Sequence, residues 1–256
     1  MPRPSNTAAP DAGAIPAAIP AAFPSVEPMG DRCLLVRLGT RIDSDVTQRV
    51  HALTARLFAA RLLGVIDIVP AFTTVALHYR PACLPRAQGS PYAQLRQAIA
   101  PLLHAAPSAD AAPARLIEIP VCYGGEYGPD LDDVARRCAL SPEEVVRLHG
   151  AMEVSVHTFY FSPGNPFAGP LDPRLSVPRR TTPRTRVEAG SVAIANGLTS
   201  IYQVASPGGW NIIGRTPWSL FDLAWTPPTR LRLGDRLHFS PISPEVFAEL
   251  DERRAR

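Results

Sequence analysis

Apolar positions fall in short runs whose period changes from segment to segment, and the changes mark out elements. Residues 33–38 form a brief apolar run closed by Gly39, which predicts a strand. Ser44 can cap a helix in which Val46, Val50, Leu53 and Leu57 share one face. Residues 65–69 are β-branched and stop at Pro70; residues 73–79 alternate and stop before Pro81. Ser90-Pro91 is an N-cap followed by proline at the first helical position, with Leu95, Ile99, Leu102 and Leu103 at helical spacing behind it. Residues 115–122 alternate once more. This βαββαβ order predicts an α+β, ferredoxin-like domain over residues 29–123.

A helical connection follows over 124–150. Asp130 can cap residues 131–138, and Ser141-Pro142-Glu143-Glu144 opens a second helix that runs to His149 and stops at Gly150. From Met152 the pattern turns to short strands at 153–159, 191–195, 200–204 and 236–239, separated by Gly and Pro turns. That rhythm predicts a small β-barrel over 151–244. Residues 245–256 read as a short charged helix or tail. At the other end, residues 1–28 hold seven prolines among alanines, which predicts a disordered tail that Met29 ends.

Composition narrows the chemistry. The 256 residues are 46% hydrophobic, enough for two cores. All 26 basic residues are arginine, which excludes a lysine nucleophile, a Schiff base and a phosphate-loop lysine. A net charge of +3, with 23 acidic residues interspersed, argues against a nucleic-acid binder. No apolar run reaches the ~18–20 residues that a membrane span needs. The four cysteines show no paired spacing, so neither a disulfide framework nor a zinc site is expected, and a cytoplasmic setting is the simplest.

Three segments could carry chemistry. In Phe161-Ser162-Pro163-Gly164-Asn165-Pro166-Phe167, two prolines and a glycine fix a rigid loop able to aim backbone N–H groups at an anion or acyl oxygen, or merely to connect strands. In Ser206-Pro207-Gly208-Gly209-Trp210, paired glycines allow close backbone approach and the indole offers a flat wall; Gly214-Arg215-Thr216-Pro217 adds a planar cation. Arg179, Arg180, Arg184 and Arg186 crowd eight residues and suit an anion, an acidic partner or plain solvent. His149 could act as a general base or as a helix-terminus cation.

Further motifs stand in order along the chain: Gly30-Asp31, Val69-Pro70-Ala71, Ile119-Pro120-Val121-Cys122-Tyr123, Asp130-Leu131, His149, Ser162-Pro163-Gly164, Pro178-Arg179-Arg180, Pro183-Arg184, 190–194, Ile201-Tyr202, 207–210, 214–217 and Gly234-Asp235. This ordered set resembles the 5-oxoprolinase B-subunit family, also called allophanate hydrolase subunit 1, which includes Kip-type kinase inhibitors. The resemblance implies a cyclophilin-like fold for the barrel. It implies a non-autonomous part of an amidohydrolase that opens 5-oxo-L-proline to L-glutamate with A and C subunits, the latter a second cyclophilin-like protein. ATP, with Mg2+, is expected at the level of the complex, and no motif for it stands in this chain. A small lactam or amide is the expected substrate, with no nucleic acid and no membrane as partner. Pro163, Gly164, Asn165, Gly208, Gly209, Trp210 and Thr216 are expected to shape the pocket. Arg179, Arg180 and Arg215 would hold phosphate or carboxylate charge, with His149 and Arg215 nearest the chemistry. Alternatives are inhibition of a sensor histidine kinase and an accessory carboxyltransferase-type component of a urea- or allophanate-processing enzyme. Where the family's loop reads GF-x-PGF-x-YL, this chain reads Tyr160-Phe161-Ser162-Pro163-Gly164-Asn165-Pro166-Phe167-Ala168. The missing tyrosine hydroxyl bears on substrate identity.

Overall fold

The computed structural model describes residues 23–104 and 114–255. Its first unit is an antiparallel sheet of β1 (Ser25–Pro28), β2 (Cys33–Arg37), β3 (Val65–Pro70) and β4 (Thr74–Tyr79), in the order β1-β2-β4-β3. Helices α1 (Ser44–Ala60) and α2 (Pro91–Leu103) pack on it. The predicted stripe of α1 is buried as expected: Val50, Leu53 and Leu57 meet Leu34, Val36, Val75 and Leu77 of the strands and Leu95 and Ile99 of α2. The α1 cap sits one residue earlier than expected, on Asp43, whose carboxylate accepts from the Val46 amide at 2.8 Å.

The ferredoxin-like order fails at its last strand. β5 (Leu116–Tyr123) leaves this sheet and pairs in parallel with β13 (Arg236–Pro241) and antiparallel with β12 (Asn211–Arg215). The slot beside β2 goes to β1, which lies in the stretch read as tail; residues 1–22 lie outside the described residues. Burial accounts for the exchange. Ile119, Val121 and Cys122 bury both faces of β5, which only a central strand can do, whereas β1 is half exposed and ends in a proline, as suits an edge. Two contacts pin β1: the Tyr92 hydroxyl donates to the Val26 carbonyl at 3.1 Å, and Arg37 pairs with Glu27 at 2.9 Å.

The second unit is a closed seven-stranded barrel. β6 (Val154–Phe159), β7 (Pro166–Gly169), β9 (Ser191–Ala195) and β10 (Leu198–Ile201) join β5, β12 and β13 in the order β10-β7-β6-β13-β5-β12-β9. β8 (Arg184–Val187) and β11 (Ser206–Gly208) make a two-stranded flap. Helices α3 (Leu131–Cys138) and α4 (Pro142–Gly150) pack on β12 and β13 and share the barrel core with Ile119, Val156, Ile194, Ile213 and Phe239. The last helix, α5 (Pro244–Ala255), seats Phe247 against Tyr127, ring centroids 4.6 Å apart.

The two units meet on the outer face of β6. Register slips between Val156 and Thr158, so the bulge turns both His157 and Thr158 outward. Thr158 Oγ1 donates to the Pro70 carbonyl at 2.9 Å, His157 Nδ1 lies 2.9 Å from Thr47 Oγ1, and His51 Nε2 donates to the His157 carbonyl at 3.0 Å.

Candidate functional site: an aromatic groove on the outer face of the barrel

Register partners in an antiparallel sheet share a face. Phe167 faces Ser200, Ser200 faces Ala193, and Ala193 faces Ile212, so one row crosses β7, β10, β9 and β12. The neighbouring row, with Ala168 and Ile194, points into the barrel core. The Phe167 row is therefore the outer one. Phe167 stands at the centre of a ring cluster. Trp210 meets it edge-on at 5.2 Å, Phe72 from the β3–β4 turn at 6.1 Å, and Tyr160 at 6.2 Å. Phe161 approaches Tyr202 at 6.5 Å. Tyr160 and Phe161 are exposed while Phe167, Trp210 and Phe72 are half-buried, which makes a groove with an apolar floor and an apolar lip.

Polar groups sit at the edges of this floor. Ser200 Oγ is buried in the row without a hydrogen-bond partner among the described residues. His157 Nε2, buried beside the Gly169 backbone, has no partner of normal geometry among them either. Burial, reinforced by neighbouring His51, lowers the His157 pKa to about 4, with the Gly169 backbone acting the other way, so the ring is neutral at pH 7. Burial raises the Tyr202 phenol; the Trp210 backbone and the nearby Arg179 and Arg184 pull it partly back.

A buried carboxylate builds one wall. Asp130 is 3% exposed and does not cap α3 as the sequence suggested. It accepts instead from Arg180 Nη1 at 2.7 Å, Arg184 Nη1 at 2.7 Å, Arg184 Nη2 at 2.8 Å and the Ile212 amide at 2.7 Å. The Arg180 amide donates to the Gly209 carbonyl at 2.8 Å, and Asn211 Nδ2 donates to the Pro178 carbonyl at 3.0 Å. These bonds strap residues 178–180 onto the turn that carries Trp210. Arg179, between them, is exposed and has no hydrogen bond or ion pair among the described residues. Its Nη2 lies 3.5 Å from where a Cβ on Gly209 would stand.

The predicted site residues divide. Gly208, Gly209, Trp210, Arg179 and Arg180 come together on this wall. Gly208 lies directly under the Tyr202 hydroxyl, where a Cβ would overlap it. Pro163, Gly164 and Asn165 form the lip loop. Gly164 has φ +73° and packs so closely on Phe221 that a Cβ would overlap it; Asn165 is buried and ties its Nδ2 to the Tyr160 carbonyl at 3.1 Å. His149, Arg215 and Thr216 do not join the groove. His149 is 0% exposed in the barrel core, Nδ1 at 2.7 Å from the Tyr123 hydroxyl and Nε2 at 3.0 Å from Thr199 Oγ1, its ring 4.3 Å from that of Phe239. Burial pushes its pKa down to about 3, so it is a neutral core group with both ring nitrogens partnered. Arg215 was expected to hold phosphate or carboxylate charge. It ends β12, paired with Cys122 and Ser191, and its Nε donates to the Ala189 carbonyl at 2.9 Å. Thr216 is buried and accepts from the Trp218 amide at 3.2 Å. Sequence reasoning missed Phe72, His157, Ser200 and the clamp role of Asp130. Only Asp130 carried a signal, as an acid upstream of an arginine cluster.

Residues 24–231 match the family described as carboxyltransferase domain, subdomain C and D. The 5-oxoprolinase B subunit of Bacillus subtilis (strain 168) is 39% identical over 226 residues, 87% of this chain and 94% of that one. That of Escherichia coli O157:H7 is 50% identical over 128 residues, half of this chain and 59% of that one. The crystal structure of TTHA0988 superposes with a TM-score of 0.71 at 35% identity, over 83% of this chain and 40% of that one. This chain thus spans less than half of TTHA0988. The Kluyveromyces lactis urea carboxylase shares the fold, with a TM-score of 0.67 at 21% identity over 89% of this chain and 22% of that one. The chain belongs to the carboxyltransferase-domain family of 5-oxoprolinase B subunits. Among the described residues no helix is long and apolar enough to cross a membrane.

Proposed function

We propose that this chain is the B subunit of a cytoplasmic, ATP-dependent 5-oxoprolinase that hydrolyses 5-oxo-L-proline to L-glutamate together with A and C subunits. The barrel is then of the cyclophilin-like type. The observation that carries the reading is the 39% identity along 94% of the B. subtilis protein. The groove's chemistry agrees with it. A five-membered lactam has two flat faces and one carboxylate. One flat face would lie against the exposed part of the Phe167–Trp210 ring cluster, and the unpaired Arg179 would take the carboxylate through a bidentate, charge-assisted contact. A lactam carbonyl is a poor electrophile, so phosphorylation of its oxygen by ATP, followed by attack of water, is the expected chemistry. The groove's part is to bind and orient the ring; a nucleophile–base pair would come from the rest of the complex.

The test is reconstitution with A-type and C-type subunits of the same source. The chain alone should show negligible turnover, and the complex should release glutamate only with ATP. In that complex Arg179→Ala should lower kcat/KM by roughly ten- to a hundredfold, the worth of a charge-assisted hydrogen bond, while leaving the melting temperature unchanged. Turnover by the chain alone, or wild-type kinetics from Arg179→Ala, would refute the assignment.

A further inference from the structure

A second concavity lies on the sheet unit, at the end of β4 away from the groove. It has a volume of about 660 Å³ and is walled by Arg32, Arg80, Arg86, Leu84, Pro81 and Pro91, with Asp31 at its rim. Counting along the chain from Phe72 through β4 to Arg80, it stands roughly 26 Å from Phe72, at ~3.3 Å per residue. Three arginines share this hollow with one acid. Several arginines elsewhere carry carboxylate partners, as in Arg37–Glu27, Arg115–Asp235, Arg174–Asp172, Arg186–Glu188 and Arg236–Glu153. Here, among the described residues, Asp31 is the only acid in the lining, and it sits 3.8 Å from Arg32. Arg80 and Arg86 face the same hollow with no hydrogen bond or ion pair to their side chains among the described residues.

Two like charges held in one concavity repel each other, and the walls of the hollow focus their field. Guanidinium groups recognise the paired oxygens of phosphate in particular. The volume falls within the range of small-molecule sites, and the lining alternates cations with the apolar surfaces of Leu84, Pro81 and Pro91. We propose that this hollow binds a phosphate-bearing small molecule of nucleotide size, its phosphates between Arg80 and Arg86 and its apolar part against Leu84 and Pro91. The site is separate from the groove and does not depend on the reading of the groove.

The test uses the purified full-length chain and titrates ATP, pyrophosphate and inorganic phosphate by calorimetry at low and at physiological ionic strength. Saturable one-to-one binding of ATP is expected, weakened by salt and competed by pyrophosphate. Arg80→Gln and Arg86→Gln should each weaken it by about tenfold, and the double variant by about a hundredfold. Arg136→Gln, which alters a surface arginine on α3, should bind as wild type. Both hollow arginines are exposed, so circular dichroism should show the variants folded. Pyrophosphate binding as tightly as ATP would assign the site to the phosphates alone; tighter ATP would place the nucleoside on the apolar wall. No saturable binding of any of the three probes, or ATP binding unchanged in the double variant, would overturn the proposal.

Discussion

Asp130→Ala should unlock the wall that carries Trp210, and its cost can be worked from the structure. The carboxylate is almost fully buried and accepts four hydrogen bonds, three from two arginines and one from the Ile212 amide. Removing one side of a buried ion pair costs about 3–5 kcal/mol, because the partner charges stay behind uncompensated. Here the Arg180 and Arg184 side chains keep 32% and 26% of their exposure, so water recovers part of that. The orphaned Ile212 amide adds ~1–3 kcal/mol. A net loss of about 3–4 kcal/mol is expected, read as a lower urea midpoint at unchanged slope. The double-mutant cycle with Arg184→Ala isolates the pair. Arg184→Ala alone leaves Asp130 one arginine and one amide, so the two losses should fall short of additivity by at least ~1 kcal/mol. Asp130→Asn should sit between, since it keeps an acceptor but turns an N–H toward the guanidinium groups. If the single variants each lose less than ~1 kcal/mol and their effects add, the clamp behaves like an exposed ion pair, and the argument that it holds the strap is wrong.

Acid should destabilise the fold before carboxylates protonate. His149 and His157 titrate near 3 and 4 in the folded chain, both lowered chiefly by burial, against about 6.5 unfolded, so the unfolded state takes up protons first. Their contribution is whole above pH 6.5 and falls as pH drops toward 4, by roughly 1.4 kcal/mol per histidine at pH 5.5; a urea midpoint flat between pH 7.5 and 5.5 would contradict the burial argument. Deleting residues 1–28 removes β1 and uncovers the β2 edge, so the melting temperature should fall by several degrees, together with greater aggregation from the bared strand; a truncation that melts like the full chain would show that β1 adds nothing.

What the sequence displayed and what it hid follow from the range of the forces involved. The stripes of α1 and α2 and the alternation of β4 were legible because local period records burial on one face. The closed barrel was legible only as a rhythm of short strands, since closure depends on pairings such as β5 with β13, more than 100 residues apart. The fate of β5 was illegible for the same reason: its own residues say strand, and the choice of sheet belongs to partners far along the chain. The Gly208-Gly209-Trp210 turn could be picked out by composition. His149 misled because a histidine satisfied by Tyr123 and Thr199 looks the same in sequence as one that faces a ligand. Arg215 misled because its neighbours Gly214 and Pro217 suggest a turn, while Gly214 is in fact the close-packed residue of a β-bulge, its missing Cβ leaving room for Val121.

The groove is the part least visible in any one segment, because neither unit contains it. Phe72 comes from the sheet unit, Phe167 and Ser200 from the outer face of the barrel, and Trp210 from the turn strapped by residues 178–180. Phe72 is placed by the β3–β4 turn, and that turn is held to the barrel by the Thr158 hydroxyl on the Pro70 carbonyl. His157, next to it, is oriented by Thr47 of α1. A single bulge in β6 makes both bonds possible, since without the extra residue only one of the two side chains would face outward. The distance between Phe72 and Phe167 is thus set by how the two units dock and not by either core. A substitution at Thr47 or Thr158, remote from the arginine strap, should therefore disturb the same ring cluster as one at Phe167 itself, while changes at Leu53 or Ile194, deep in either core, should act on stability alone.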